Sequence, residues 1–176
     1  LGEARPTLPL SPSGNIYCGN ATEIDWKKIC PDDDKKVTYI LGNPPYTGSK
    51  KQNNSQKKDV ARVFNEFKSF KNMDYISCWF YLASKFIKDS SNKFAFVSTK
   101  SVSQGELVGL MWPLIFKLEL EIFFAHKPFV WSNNAKANAG VTCVIIGVQK
   151  KVNSNKFLYD IDNSKIIKCK RISPYL

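Results

Sequence analysis

The apolar run from Gly140 to Val148 constrains the fold more than any other stretch of the chain, because its nearly uninterrupted aliphatic residues predict a strand buried on both faces. A preceding strand is predicted at Glu121–Ala125. The aromatic, asparagine-rich stretch that joins these two strands has no helical pattern. Two strands joined without a helix can pair as a hairpin. We therefore expect the last of these strands to run antiparallel to the sheet.

The preceding segments alternate between strand and helix patterns, which indicates an α/β fold. Strands are predicted at Val37–Leu41, which stops at Gly42, and at Phe94–Val97, because both runs are rich in β-branched and aromatic residues. Apolar residues spaced three and four apart predict a helix over about 73–88 with one buried stripe.

Smaller elements complete the predicted fold. A helix is expected around Leu107–Leu114, and Pro113 should kink or shorten it. A brief helix is expected at Asp25–Cys30, and the end of the chain should form a hairpin from Lys156–Tyr159 and Lys165–Lys170. Residues 1–14 are rich in proline and predict a linker or arm, and the polar stretch Thr47–Lys58 predicts a mobile loop.

Charge and cysteine content limit the class of protein. The chain has 26 Lys and Arg against 15 Asp and Glu, a formal net charge of +11, which favours an anionic partner such as nucleic acid. A solvated, lysine-rich surface explains the charge equally well. The five cysteines form no C-x-x-C pair and there is one histidine, which predicts a reduced, cytoplasmic protein without a metal site. No stretch is long enough to span a membrane.

The tetrapeptide Asn43-Pro44-Pro45-Tyr46 lies directly after a predicted strand, at the edge where open α/β sheets bind ligands. The side-chain carbonyl of Asn43 and the backbone carbonyl of Pro44 offer two acceptors, and neither proline has an N–H that competes beside them. Such a pair can accept both hydrogens of adenine's exocyclic amine, which draws its nitrogen toward tetrahedral geometry and frees the lone pair for a methyl-sulfonium. Tyr46 offers a ring on which an extruded base can stack. A proline-rich turn that ends a strand is the simpler alternative.

These residues resemble the N-P-P-Y motif of amino-methylating DNA methyltransferases, and three further stretches resemble that family in the order it uses. They are Asn15–Asn20, Phe94–Glu106 and Phe129–Ile146. The resemblance is closest to the MmeI-like branch, in which one long polypeptide joins endonuclease, methyltransferase and target-recognition parts, and it spans nearly the whole chain. It implies transfer of a methyl group from S-adenosylmethionine to N6 of a flipped adenine in duplex DNA, as part of a restriction-modification enzyme.

The resemblance also implies a fold and a division of the chain. The fold is a partial Rossmann-like class I methyltransferase sheet, made of the later strands of seven with the last one antiparallel, and flanking helices. Residues 15–150 would be the C-terminal part of the catalytic domain, and residues 151–176 a hairpin or linker toward a target-recognition domain. The remainder of the same polypeptide would then be a partner, with the upstream cofactor-binding half and the endonuclease.

Site residues follow from the same resemblance. Asn43, Pro44, Pro45 and Tyr46 would be catalytic, and Gly19, Asn20 and Ala21 would contact the cofactor together with Asn43; alternatively, Asn20 only caps a strand end. Phe129 or Trp131, expected in a loop before the last strand, would pack on the flipped adenine, or else only in the core. Lys50, Lys51, Lys57 and Lys58 would contact DNA phosphates, or else form a solvated loop.

The family's glycine-rich cofactor turn and the acidic residue after its second strand are not found in the sequence. We therefore expect the chain to begin after that second strand, to hold only part of the cofactor site and to transfer no methyl group alone. Two other functions remain open: a non-catalytic nucleic-acid-binding module derived from a methyltransferase, and a protein-glutamine methyltransferase, which also uses an N-P-P-Y motif. The basic charge and the MmeI-like flanks favour DNA over protein.

Overall fold

The computed structural model describes residues 16–33, 35–131 and 141–176. The strands in these ranges belong to one six-stranded sheet. They are β1 (Tyr39–Gly42), β2 (Lys93–Thr99), β3 (Leu120–Trp131), β4 (Val141–Lys150), β5 (Lys156–Asp160) and β6 (Lys165–Cys169). The helices are α1 (Trp26–Ile29), α2 (Asn54–Val63), α3 (Ser77–Ile87) and α4 (Glu106–Phe116), with short 3-10 turns at Ser49–Lys51, Phe70–Asn72 and Lys100–Ser103.

The strands lie in the order β1-β2-β4-β3-β5-β6 across the sheet. β1 and β2 are parallel, whereas β4 lies between β2 and β3 and is antiparallel to both. The antiparallel strand expected from the apolar run is thus confirmed. Because β4 reverses direction relative to both neighbours, β1, β2 and β3 all run the same way, and their carboxyl ends lie at one edge of the sheet. We call this the carboxyl edge.

The hairpin expected near the end of the chain is also confirmed. β5 and β6 pair antiparallel, from Lys156 opposite Cys169 to Asp160 opposite Lys165. β5 additionally pairs parallel to β3, which joins the hairpin to the same sheet. The expected arm at residues 1–14 lies outside the described residues.

Helices α3 and α4 cover one face of the sheet. Phe80 of α3 is fully buried, and its ring packs edge-on against Phe94, Phe96 and Trp112 at centroid distances of 5.8, 5.4 and 5.8 Å. Phe94 and Phe96 alternate with half-buried residues along β2, as period-two side-chain alternation requires. This aromatic cluster fixes β2 under the two helices, and β2 in turn supports β1.

The loop expected over Thr47–Lys58 is wrong in its second half, where α2 begins. The side chain of Asn53 accepts a hydrogen bond from the Gln56 N–H at 2.9 Å, and the Gln56 side chain accepts from the Asn53 N–H at 3.1 Å. This reciprocal pair is a capping box, which satisfies two backbone donors that a helix start leaves open. Val60 and Phe64, both buried, then hold the helix against the core.

Two helix predictions differ from the structure at their bounds. α3 begins at Ser77, later than the expected residue 73, because Met73–Ile76 form the preceding turn, although Met73 and Ile76 are buried as expected. α4 is not shortened at Pro113 but continues to Phe116. The indole N–H of Trp112 donates to the carbonyl of Val102 at 2.7 Å, which ties this helix to the turn before it.

β3 extends well beyond its expected end at Ala125. Pro128 lacks an N–H, yet it lies where the pairing with β4 shifts register, between His126 and Phe129, so the ladder loses no regular hydrogen bond there. The prediction that Phe129 and Trp131 lie in a loop is therefore wrong. Both are strand residues paired with β4.

Candidate active site

The Asn43–Tyr46 segment begins where β1 ends, at the carboxyl edge. Pro44 is buried and anchors the segment, whereas Asn43 and Pro45 are exposed and Tyr46 is 38% exposed. Gly42 lies beside the ring of Phe96. A Cβ added to Gly42 would stand 3.5 Å from this ring, which is an ordinary van der Waals contact. The two prolines restrict φ, so the segment presents Asn43 and Tyr46 outward on a backbone of little freedom.

Hydrogen bonds fasten the chain immediately after this segment to residues 73–75. The carbonyl of Thr47 accepts from the backbone N–H of Tyr75 at 2.8 Å. The carboxylate of Asp74 accepts from the backbone N–H of Ser49 at 3.0 Å, and the buried amide of Gln52 donates to the carbonyl of Met73 at 2.8 Å. The chain that follows Tyr46 is therefore held in place by hydrogen bonds to residues 73–75.

The Gly19–Ala21 segment precedes α1 and forms a tight turn. The side-chain oxygen of Asn20 accepts from the N–H and the hydroxyl of Thr22 at 3.0 and 2.9 Å. The carbonyl of Ala21 accepts from the indole N–H of Trp26 at 2.8 Å. In the described range 16–33 no residue lies in a strand. Beside the turn is an open groove of about 780 Å³, within the roughly 300–1,000 Å³ of small-molecule sites.

Asp59 of α2 joins the Gly19–Ala21 segment to the region of Tyr75, and sequence reasoning missed it. Its side chain is almost fully buried and accepts hydrogen bonds from Asn20, Arg62 and Tyr75. Asp59 directly follows two lysines and the stretch Thr47–Lys58 that was expected to be a loop. The sequence signals that could have found it are the capping box that starts α2 and Arg62 at the i+3 position, which together predict a helix with an internal ion pair.

Phe129 and Trp131 lie at the carboxyl edge, as Asn43–Tyr46 does, because β1 and β3 run in the same direction. Their ring centroids are 6.2 Å apart; Phe129 is half-buried and Trp131 is 46% exposed. β2 and β4 separate β3 from β1. The structure thus brings these aromatic residues to the same edge as the tetrapeptide, with two strands between them.

The four lysines expected to contact DNA follow directly after the tetrapeptide. Lys50 and Lys51 lie in a 3-10 turn, and Lys57 and Lys58 lie in the first half of α2. All four lysines are exposed. Lys57 borders a groove of about 420 Å³ together with Lys71. These lysines thus follow the tetrapeptide in sequence, in a turn and in the helix after it.

Metal and membrane sites have no support in the described residues. Over the described ranges, no group of three or more His, Cys, Asp or Glu is arranged to hold a metal ion. No helix in the part of the chain that the structure describes is long and apolar enough to cross a membrane. All five cysteines are free thiols.

Comparisons with known proteins agree with the fold. The family model for the DNA-methyltransferase domain of MmeI matches residues 1–160. DNA methyltransferase A of Bacillus subtilis (strain 168) is 46% identical over 175 residues, which make up 98% of this chain and 20% of that protein. The structure of the Type IIL restriction-modification enzyme MmeI in complex with DNA matches 99% of the chain with a TM-score of 0.86 and 39% identity. The chain spans 24% of the length of that enzyme.

Proposed function

Because the chain belongs to the family of MmeI DNA-methyltransferase domains, we propose that it forms part of a restriction-modification enzyme that methylates N6 of adenine in duplex DNA, using S-adenosylmethionine. The observation that carries this proposal is the position of Asn43. Its side chain is exposed beside buried Pro44 at the carboxyl end of β1, where open α/β sheets bind ligands.

The chemistry follows from the two acceptors in this segment. The amine of adenine is a poor nucleophile because its lone pair is delocalised into the ring. Asn43, through its side-chain oxygen, and Pro44, through its carbonyl, accept the two amine hydrogens and favour the tetrahedral nitrogen needed for attack. S-adenosylmethionine supplies an electrophilic methyl group whose leaving group is neutral. Tyr46 stacks on the base once it is extruded from the duplex, and Phe129 or Trp131 packs against it.

The cofactor's adenosine end is assigned to the Gly19–Ala21 segment, in keeping with the size of the adjacent groove. The side-chain oxygen of Asn20 already accepts two hydrogen bonds from Thr22, which fill its two lone pairs. We therefore propose that Asn20 shapes this segment and that Gly19 and Ala21 flank the cofactor. Asn43 completes the site from the side of β1.

Duplex DNA and the rest of a longer polypeptide are the proposed partners. A net charge of +11 and the lysines after Tyr46 support a polyanionic partner. The relatives are four to five times longer than the portions this chain matches, which supports further cofactor-binding, endonuclease and target-recognition parts. Within that polypeptide we assign residues 15–150 to the catalytic domain and 151–176 to the connection that follows. Free thiols throughout are typical of a reducing compartment such as the cytoplasm.

The test is Asn43→Ala in the full-length polypeptide that carries this chain. Methylation of duplex DNA should fall by a factor of about 10² to 10³, because one of the preorganised acceptors is removed, while the Kd for the duplex stays within about twofold. Mass spectrometry of digested DNA should detect N6-methyladenine as the product. Asn163→Ala, in the β5–β6 turn, is the matched control and should leave the rate unchanged.

Other products would contradict the proposal in distinct ways. N4-methylcytosine would overturn the assignment of adenine, and a methylated glutamine in protein would overturn DNA as the substrate. Binding of duplex DNA without any methyl transfer by the full-length protein would favour the non-catalytic module.

A further inference from the structure

A buried carboxylate lies between the two segments assigned to the cofactor and to the target base. Building on the proposed function, we propose that Asp59 is a positioning residue that fixes the Gly19–Ala21 segment relative to the Asn43–Tyr46 segment. Asp59 lies on the buried side of α2 and is 3% exposed. It would touch neither the cofactor nor the base, and its effect on methyl transfer would pass through Asn20 and Tyr75.

The first set of contacts reaches the cofactor segment. The amide nitrogen of Asn20 lies 3.2 Å from each carboxylate oxygen of Asp59. Arg62, which pairs with the same carboxylate, also donates to the hydroxyl of Thr22 at 2.9 Å and lies 3.1 Å from the carboxylate of Glu23. Helix α2 thus holds residues 20–23 through several polar contacts. In the described range 16–33 no strand pairing holds this segment.

The second set of contacts reaches the target-base segment. The hydroxyl of Tyr75 donates to the carboxylate of Asp59 at 2.6 Å. The backbone N–H of the same residue donates to the carbonyl of Thr47, directly after Tyr46, at 2.8 Å. Tyr75 is 8% exposed, and its ring packs edge-on against Trp79 at 5.0 Å, so it has little freedom to turn away. Through this one residue, Asp59 is connected to the chain that carries Tyr46.

The pKa shifts of Asp59 and Tyr75 favour Asp59 as the hydrogen-bond acceptor and Tyr75 as the donor. Burial raises the pKa of the Asp59 carboxyl, but the hydrogen bonds from Tyr75, Asn20 and Arg62 outweigh it and hold the pKa below its usual value. Burial, with the adjacent Asp59 carboxylate, raises the pKa of the Tyr75 hydroxyl above its usual value. Asp59 is thus ionised and Tyr75 protonated at neutral pH, which is the arrangement that strengthens a charge-assisted hydrogen bond.

Position matters because methyl transfer needs the amine nitrogen and the methyl group aligned at close range, and a shift of about 1 Å can cost 10²-fold in rate. The two segments are far apart in sequence, and Asp59 contacts the one that carries Asn20 while Tyr75 contacts the one that follows Tyr46. Removal of the Asp59 carboxylate should let the two segments move independently. The Gly19–Ala21 segment would then hold the cofactor less firmly, and its alignment with the Asn43–Tyr46 segment would be disturbed.

A double-mutant cycle in the full-length polypeptide tests this role. Asn20→Ala removes the interaction on the cofactor side, and Tyr75→Phe removes a single hydroxyl on the base side. Each should lower kcat/KM by about 10-fold or more, the effect of removing one hydrogen bond to a charged group. If Asp59 couples the two segments, the double variant should fall at least about threefold short of the product of the single effects, because each single change already disconnects them.

The matched control is the cycle of Tyr75→Phe with Asp160→Asn. Asp160 also accepts a charged hydrogen bond, from Lys127 at 3.0 Å, but lies in the β5–β6 hairpin. This cycle should be additive. Thermal unfolding of each variant gives the folded fraction at the assay temperature, to which all rates are normalised. A merely structural role would lower the active fraction and leave the KM for the cofactor unchanged, whereas the positioning role predicts that Asn20→Ala raises this KM.

The outcomes separate the positioning role from the proposed function. If the wild-type polypeptide methylates adenine and the Asn20/Tyr75 cycle is additive, or the KM for the cofactor is unchanged in Asn20→Ala, the positioning role is overturned and the function stands. If the wild-type polypeptide transfers no methyl group, the function is overturned, and the positioning role with it. A non-additive cycle with the raised KM supports the proposal.

Discussion

The ring of Phe124 in β3 lies directly against the Cα of Gly147 in the neighbouring strand β4, so that a Cβ added there would overlap the ring. A carbon of the adjacent Phe123 ring would also stand 3.0 Å from this Cβ. The shift in register between Ile122 and Phe124 brings both aromatic rings toward the glycine. The pairing of β3 with β4 therefore requires a residue without a side chain at position 147.

Gly147→Ala should lower the free energy of unfolding by about 1–3 kcal/mol, the usual cost of overpacking a close contact. Urea unfolding followed by circular dichroism measures this change. Gly109→Ala is the matched control, because Gly109 is an exposed residue of α4 with nothing within 4 Å of an added Cβ. That substitution should raise the free energy of unfolding by about 0.5–1 kcal/mol through helix propensity. Equal effects of the two substitutions would contradict the packing described for Phe124.

Lys156 of β5 is a buried cation with a complete set of partners, although its side chain is only 2% exposed. Its ammonium lies 2.8 Å from the carboxylate of Glu121 and donates to the carbonyls of Val152 and Ser154 at 2.8 Å each. Lys156→Met leaves Glu121 and two carbonyls without this donor, so the free energy of unfolding should fall by about 3–5 kcal/mol.

The comparison for Lys156 is Lys127→Met, which breaks the more exposed pair with Asp160. Since the Lys127 side chain is 40% exposed, its removal should cost no more than about 1 kcal/mol. Chemical unfolding of both variants at the same ionic strength measures the difference. A cost for Lys156→Met as small as that for Lys127→Met would show that the buried ion pair does not stabilise the hairpin's attachment to β3.

Strands were predicted well where apolar residues formed a continuous or alternating run. Phe94–Val97 lies within β2, and the run ending at Val148 lies within β4 over its described residues. The antiparallel direction of β4 followed from the lack of a helical pattern before it. The far end of β3 was not predicted, because Pro128 normally marks the end of a strand. Here it coincides with a register shift that only the partner strand reveals.

The place of Asn43–Tyr46 at the end of a strand was predictable because it is a local property of the sequence. The Asp59 network was not predictable in the same way. Asp59 and Asn20 are 39 residues apart, and their contact depends on how α2 packs against the turn before α1. Helix α2 itself was missed because its apolar residues are confined to its second half, which left the capping box as its main local signal.

The lysines of α2 should contribute to DNA binding through phosphate interactions that depend on salt. Replacing Lys57 and Lys58 with alanine should lower the slope of log Kd against log salt concentration by about 1 for each phosphate that is no longer neutralised. Fluorescence anisotropy with a labelled duplex, using the full-length polypeptide, measures this slope. Lys150→Ala, at the end of the antiparallel strand β4, removes an exposed lysine at the opposite edge of the sheet and should leave the slope as it is. An unchanged slope in the double variant would mean that these lysines are only solvated.

Tyr46 gives the sharpest test of base extrusion because its ring and its hydroxyl make different predictions. Its side chain is 38% exposed and follows two prolines, so the ring is presented outward on a stiff backbone. If the ring stacks on the extruded adenine, Tyr46→Phe keeps the stacking, whereas Tyr46→Ala removes about 1–3 kcal/mol of it, or about 5- to 150-fold in the extrusion equilibrium. A duplex with 2-aminopurine at the target position reports extrusion as an increase in fluorescence. The increase should be retained in the phenylalanine variant and largely abolished in the alanine variant. Its absence in both would indicate that the hydroxyl, and not the stacked ring, holds the base.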